Sequence, residues 1–513
     1  MELFLVAYEA RGLLVSVGLA VYLVYKVWVY RRLSAFKGPF SSGWSETWNS
    51  ATTVSNNAHV KHKEVCDKYG PISRIGPNDL ITDSMELVTH MSAARSPYTR
   101  TVWFARATRT KPGEDHLFSE TNESVHTRRR QQMALGYSGK ENLELEGTID
   151  VYIGKLIHLI RSKYLSTPEL AQPFDFGKKV QYLAVDVINA IGLGVPLGDL
   201  DTDSDQYRYI ETTEVGFKIG KMALALGLLP VIQSPWVMRL LAPLGEDGLR
   251  FGWPLRHARA RIDERLQQET ETRSDMLASF VRHGLTRDQL VNESMLQLIA
   301  GSDTTSTSIR ALFLYLLTHR RVYATLQAEV DAAVADGTAP PAPGVISEAG
   351  ARSLPYLQAC IKEGMRIRPP AGALVPKRVP DGGDTVLMDG KPVFLSGGTN
   401  IGVSMFALQL NKGIFGDDAE EFRPERWLVE KDEKKLATMH RVHELIFGYG
   451  KYQCLGKSIA LMEVNKAVFE LVRNFDMSLA RPDKPWEEEN SLGVFTQRNM
   501  LVTAIDRLGD VKS

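Results

Sequence analysis

Cysteine is scarce, with three residues in 513: Cys66, Cys360 and Cys454. Thiols so few and so scattered exclude a disulfide framework and argue for a reducing compartment, where the Asn-Glu-Ser sequons at Asn122 and Asn292 stay unmodified. An excess of either charge is also missing. Lys+Arg and Asp+Glu both number 61, so the net charge is zero and no nucleic-acid partner is expected. No Gly/Ser linker, internal repeat or long charge block divides the chain, which therefore reads as one large unit. Long apolar runs are confined to the N-terminus, where Gly12 to Tyr30 is broken chiefly by Lys26. That is about the ~20 residues one membrane span needs, and no small-x-small cleavage site follows, so a retained anchor is favoured over a signal peptide. Arg31, Arg32 and Lys37 follow the run while Glu9 and Arg11 precede it, which places the body in the cytosol.

Over the whole chain, a hydrophobic content of 44% suits a globular core. Phe36-Lys-Gly-Pro39 reads as a stiff hinge, and the chain divides into an anchor over 1–32, a hinge and linker over 33–60 and a body over 61–513. Gly/Pro punctuation frames a short strand between Tyr69 and Pro77, and residues 175–333 are mostly helical. Thr286-Arg-Asp-Gln289 fits a capping box that opens a long helix running through Leu290 to Leu317. Short strands are expected around Asp381 to Leu395 and a last helix over Leu455 to Asn474, giving a mainly α fold with small β-sheets.

The run Phe447-Gly-Tyr-Gly-Lys-Tyr-Gln-Cys-Leu-Gly456 sets Cys454 at the entrance of that last helix. The helix dipole and free N–H groups there favour an anionic sulfur, a good iron ligand, and Gly448, Gly450 and Gly456 let the backbone approach a flat partner. Phe447 can cover the sulfur. A buried free cysteine is the competing reading. Ala300-Gly-Ser-Asp-Thr-Thr305 places Gly and Ser/Thr mid-helix, where they are unfavourable, so either the helix kinks or Gly301 leaves space beside it for a small molecule such as O2. Glu363 and Arg366 stand at i and i+3, ordinarily a surface pair. His126-Thr-Arg-Arg-Arg130 reads most simply as a solvated basic helix face, at least for Arg128 and Arg129.

Phe-x-x-Gly-x-x-x-Cys-x-Gly, together with the other motifs in this order, resembles the cytochrome P450 superfamily. The phrasing around Ser96 to Arg100, Gly136 to Glu141 and Gly450 to Lys457 is similar to fungal members related to pisatin demethylase, many of which tailor secondary metabolites. The resemblance implies haem b ligated by Cys454, with Phe447 and Gly450 shaping the loop. It implies that Thr304 orders the water that delivers protons during O2 activation and that Asp303 relays them. Glu363 and Arg366 would join Arg426, from Phe422-Arg-Pro-Glu-Arg-Trp427, in a network holding the cysteine loop. Arg130 and Arg378 would bind haem propionates. Here the family usually has Trp four residues before Arg130, and this chain has His126. Two residues before the cysteine it usually has Arg or His, and here Tyr452 stands, a neutral phenol beside Lys451.

The implied function is a monooxygenase acting on an apolar, lipophilic small molecule and O2, anchored in the endoplasmic reticulum membrane. No flavin or nicotinamide domain is visible, so electrons would come from NADPH-cytochrome P450 reductase, with cytochrome b5 as a possible second donor. A haem-thiolate isomerase or dehydratase is the alternative, and a membrane-tethered haem carrier or sensor is a third. The intact pair Asp303 and Thr304 favours the first. Pocket walls would come from residues 97–118, 216–241, 296–300 and 371–375 with Val494 and Phe495, and Met222 to Leu229 would dip into the membrane or pack as core.

Overall fold

A computed structural model describes residues 2–110, 113–234, 236–237, 252–267, 274–388 and 390–509. The apolar run forms a single helix, Glu2–Arg32, of which Leu13–Arg32 has mean hydropathy 1.8 and is 6% buried. Its far end is fixed to the body. The buried Arg74 guanidinium donates to the carbonyls of Tyr30 and Val29 in the helix's last turns and to those of Gly43, Gly76 and Pro77. Arg32 donates to Gly397 O at 2.6 Å and to Asn78, and Lys26 caps Trp44 O at 2.7 Å.

Residues 33–60, read from sequence as hinge and linker, are packed structure. Leu33 is fully buried in the main core, Tyr30 stacks on Trp44 with ring centres 4.5 Å apart, and helix Thr47–Val54 follows. At Gly38 a Cβ would stand 1.9 Å from Arg74 O, so only glycine fits the crossing.

A five-stranded sheet lies next to this junction in the order Ile72–Arg74, Asp79–Thr82, Asn400–Ser404, Ala373–Arg378, Thr99–Arg100. Asp79–Thr82 and Asn400–Ser404 pair parallel, and their neighbours pair antiparallel. The hairpin expected near 381–395 forms from Asp384–Met388 and Lys391–Leu395.

Helix Arg287–Thr318 is the spine. Its capping box is present, with Thr286 accepting from Gln289 N while the Gln289 side chain returns to Thr286 N. The helix runs unbroken through Ala300 to Thr305, because its hydroxyls are used along the helix itself: Thr304 donates to Ala300 O at 2.7 Å and Ser302 to Leu298 O at 2.8 Å. It packs along Phe176–Leu193, a helix buried at almost every position. Gly301 belongs to that contact. A Cβ there would come within 2.7 Å of Ile188, so its missing side chain lets two helices close on each other, and the space beside it is filled by Ile188 and not by a small molecule.

Candidate functional site

The site starts at the entrance of helix Lys457–Asn474, where the cysteine loop lies. A 3-10 turn Leu445–Phe447 and a second, Gly450–Tyr452, fold the chain back so that Cys454 N donates to Phe447 O at 2.7 Å. Gly450 has φ +57° and would press a Cβ to within 2.2 Å of Ser92 O, so the turn requires glycine. Phe447 is buried beneath the loop, with the Lys457 ammonium over its ring. Cys454 is exposed to open space, although dense protein surrounds it on its other sides. That burial raises its thiol pKa, against the pull of the Gly456 and Lys457 N–H groups and the charges of Arg130 and Lys457.

Beside the sulfur lies a basic cradle. Arg130 reaches toward Cys454, and Arg100, Lys377, Lys451 and His126 gather around Tyr452. Arg100 Nη2 donates to His126 Nε2 at 3.1 Å, which makes Nδ1 the protonated nitrogen of His126, and that donor finds no acceptor. Arg100 Nε and the Lys377 ammonium are likewise buried without a partner. Desolvation first, and repulsion by neighbouring cations next, push His126 down to about 3 and Lys377 well below the usual lysine range, and desolvation pushes Arg100 down to about 10 against the pull of Tyr452 and Glu123.

Two positions differ from the sequence reading here. Arg378 turns outward, 40% exposed, and pairs with Asp381 at 2.6 Å, while its neighbour Lys377 points in and stands 3.1 Å from the centre of the Tyr452 ring. Tyr452 commits its hydroxyl to Glu123 and offers the cradle its ring face. Lys451 pairs with the same carboxylate at 3.0 Å and with the carbonyls of Ser96 and Tyr98.

Asp303 and Thr304 occupy the middle of the spine. Asp303 is held by Gln181 Nε2 at 2.7 Å, and Gln181 Oε1 accepts in turn from Ser306 at 2.8 Å and from Arg310. The second oxygen of Asp303 is buried and unpartnered. Burial lifts its pKa to about 6, against the Gln181 bond and the Arg310 charge. Gln181 was invisible to motif reading, because it lies 122 residues away on another helix.

Beneath the loop, Glu363 joins Arg366 and Arg426 in a buried ion cluster, where spacing alone gave an ordinary surface pair and the resemblance a network. Glu363 and Arg366 are both 0% exposed. Glu363 accepts from Arg366, from Arg426 Nε at 2.8 Å and from Trp427 Nε1 at 2.8 Å. Arg366 also donates to Gln409 O, and Gln409 Nε2 to Val442 O at 2.6 Å, which ties the cluster to the segment leading into Leu445–Phe447.

Cations buried together without partners are stable only when an anion neutralises them. The group that brings two carboxylates on a flat apolar body with a metal facing a thiolate is haem, and the class defined is a haem-thiolate protein. The comparisons agree. The Cytochrome P450 family profile matches residues 39–503. "Cytochrome P450 monooxygenase ABA1" of Pyricularia oryzae is 37% identical over 490 residues, covering 93% of each chain. "Cytochrome P450 monooxygenase aba1" of Botryotinia fuckeliana is 36% identical over 473 residues, 92% of this chain and 91% of its own. "Pisatin demethylase" of Fusarium vanettenii is 28% identical over 470 residues, 90% of this chain and 86% of its own. The chain belongs to the cytochrome P450 family and is a haem-dependent monooxygenase, which disfavours the isomerase alternative.

Proposed function

We propose that this enzyme oxidises a lipophilic secondary metabolite at the cytosolic face of the endoplasmic reticulum, with electrons from NADPH-cytochrome P450 reductase and cytochrome b5 as an optional second donor. The observation that carries the site assignment is the basic cradle beside Cys454, in which Nδ1 of His126, Nε of Arg100 and the Lys377 ammonium are buried without a hydrogen-bond partner. Cys454 would ligate the iron, and His126 Nδ1, Arg100, Arg130 and Lys377 would hold the propionates. When bound, haem supplies the redox chemistry by which RH, O2, two electrons and two protons give ROH and water. The chain's own part is to deliver those protons: Asp303, titrating near neutrality, takes them from solvent, and Thr304 holds the water that passes them on.

Apolar side chains exposed along helix Tyr209–Ala225 and just beyond it, among them Ile219, Met222, Leu226 and Leu228, border a groove of about 340 Å³. Lys221 ties this helix to Asn56 at 2.9 Å, close to the mounted anchor, which supports its contact with the bilayer and entry of a lipophilic substrate there. Residues 111, 112, 235 and 238–241, counted among the pocket walls, lie outside the described residues.

The substrate is found by comparing metabolites of a host with and without the gene. With that substrate, Thr304→Ala should still consume NADPH but release peroxide, and product per NADPH should fall about 100-fold, the low end of what a positioned proton donor contributes. Unchanged coupling would remove Thr304 from the proton path. In the cradle, Lys377→Met should speed haem transfer to an apo-globin acceptor about tenfold or more, because a buried charge-assisted bond is lost, whereas Arg378→Ala should leave it unchanged. Faster loss from Arg378→Ala than from Lys377→Met would reverse the assignment.

A further inference from the structure

Glu293 lies on the spine eleven residues before Thr304, about three turns and therefore on the same helix face. Its carboxylate is 0% exposed. Both oxygens accept from Leu117 N, at 2.8 and 3.1 Å, and one also accepts from Arg129 Nη1 at 3.1 Å. Arg129, read from sequence as solvated, is thus a buried clamp that also donates to Asp115 O at 2.6 Å. The next residue along, Asn292, donates to Glu114 at 2.9 Å. Two consecutive spine residues therefore moor the segment 114–119, which follows helix Val102–Thr108 and carries Phe118 onto Phe104.

We propose that Glu293 is the positioning residue that latches segment 114–119 over the distal face of the spine and so sets how easily bulky ligands enter. The proposal rests on the reading that this face borders the ligand pocket.

The groups around the carboxylate fix the sign of its pH dependence. Helix Glu123–Tyr137 presents Arg129, which favours the charged form, and Tyr137, whose own pKa burial raises. The segment itself presents Glu120, which opposes the charge. Its other ionisable groups are engaged: Asp115 with Arg109 and Ser119, Glu114 with Asn292, and His116, which desolvation lowers to about 4, with Thr108 O and Ser119 N. Burial is the largest influence and raises Glu293 to about 7. A carboxyl that regains its ordinary pKa when the segment lifts and water enters binds its proton more tightly in the latched state. Protonation therefore favours latching, and opening becomes easier as pH rises, levelling off above about 7.

The test uses the full-length holoenzyme and two probes, imidazole and the bulky azole clotrimazole, followed by the spectral shift of nitrogen ligation, with rates referred to the unprotonated ligand. For wild type, clotrimazole entry should rise about tenfold between pH 6 and pH 8, the ratio linkage gives for a carboxyl moved from 4.5 to about 7. Glu293→Gln keeps an acceptor for Leu117 N and Arg129 but cannot ionise. Its clotrimazole rate should be flat and below that of wild type throughout, by about 30-fold at pH 6 and about 300-fold at pH 8 on the same linkage ratio. Imidazole rates should match in both proteins at every pH. Hydrogen exchange of Leu117 N–H in wild type, corrected for its intrinsic pH dependence, should accelerate over the same range, so the proposal stays testable if the variant fails to fold. A flat or falling wild-type profile, or a wild-type profile retained by Glu293→Gln, overturns the latch. Failure of both azoles to ligate would instead overturn the reading of the pocket.

Discussion

Replacing Cys454 by alanine should abolish the red-shifted absorbance that thiolate-ligated haem shows when reduced and treated with CO, with no residual band. The expectation is all-or-none, because the other two thiols cannot substitute. Cys66 and Cys360 are buried, 3% and 0% exposed, inside packed apolar clusters, so neither can present its sulfur to a haem. Cys454 is the exposed one, with two backbone N–H groups and two cations turned toward it. Cys454→Ala should still fold, since the loop is closed by main-chain bonds and glycine turns. Circular dichroism checks the fold in the same samples as the CO spectrum. A folded Cys454→Ala protein that keeps the band would place the ligand elsewhere.

What the sequence made legible were features carried by spacing along one chain segment. The capping box at Thr286, the spine helix and the cysteine loop are local, and local chemistry decides them. Features decided by facing were not legible. In an extended strand, neighbouring side chains point to opposite sides, so whether Arg378 or Lys377 enters the cradle is a question of parity. The pairing of Ala373–Arg378 with Asn400–Ser404 shifts register between Leu374 and Lys377, which hides that parity from any count along the sequence. Gly301 misled for a related reason. A glycine excuses itself equally for a ligand or for a neighbouring helix, and only the position of Ile188 separates the two. Arg129 has the polarity of a surface residue, and only Glu293, 164 positions away, shows that it is a buried clamp. Tyr452 was recognised as a departure, but the partner that takes its hydroxyl, Glu123, lies 329 residues earlier.

Glu363→Ala should be the most destabilising substitution at the site, although it touches no reacting group. The carboxylate receives Arg366 through both guanidinium nitrogens, at 2.9 and 2.8 Å, as well as Arg426, Trp427 and Arg423 N. Arg366 and Arg426 are 0% and 2% exposed, so removing the acceptor leaves Arg366 buried without a carboxylate and Arg426 with Asp418 alone, at 3.2 Å. Breaking one partner from a buried ion cluster costs about 3–5 kcal/mol, a large share of the ~5–15 kcal/mol that holds a folded domain together. The loss should appear as a Tm lower by about 3–5 °C and as faster haem release, because Arg366 reaches the cysteine loop through Gln409 and Val442. Glu363→Gln keeps an acceptor but no charge and should fall between the two. Adding Arg366→Met to Glu363→Ala should recover part of the Tm, since it removes one stranded cation, and a cost that came only from lost packing would not be recovered this way. A Tm unchanged by Glu363→Ala would mean that the loop is held by its glycine turns alone and that the buried cluster is dispensable.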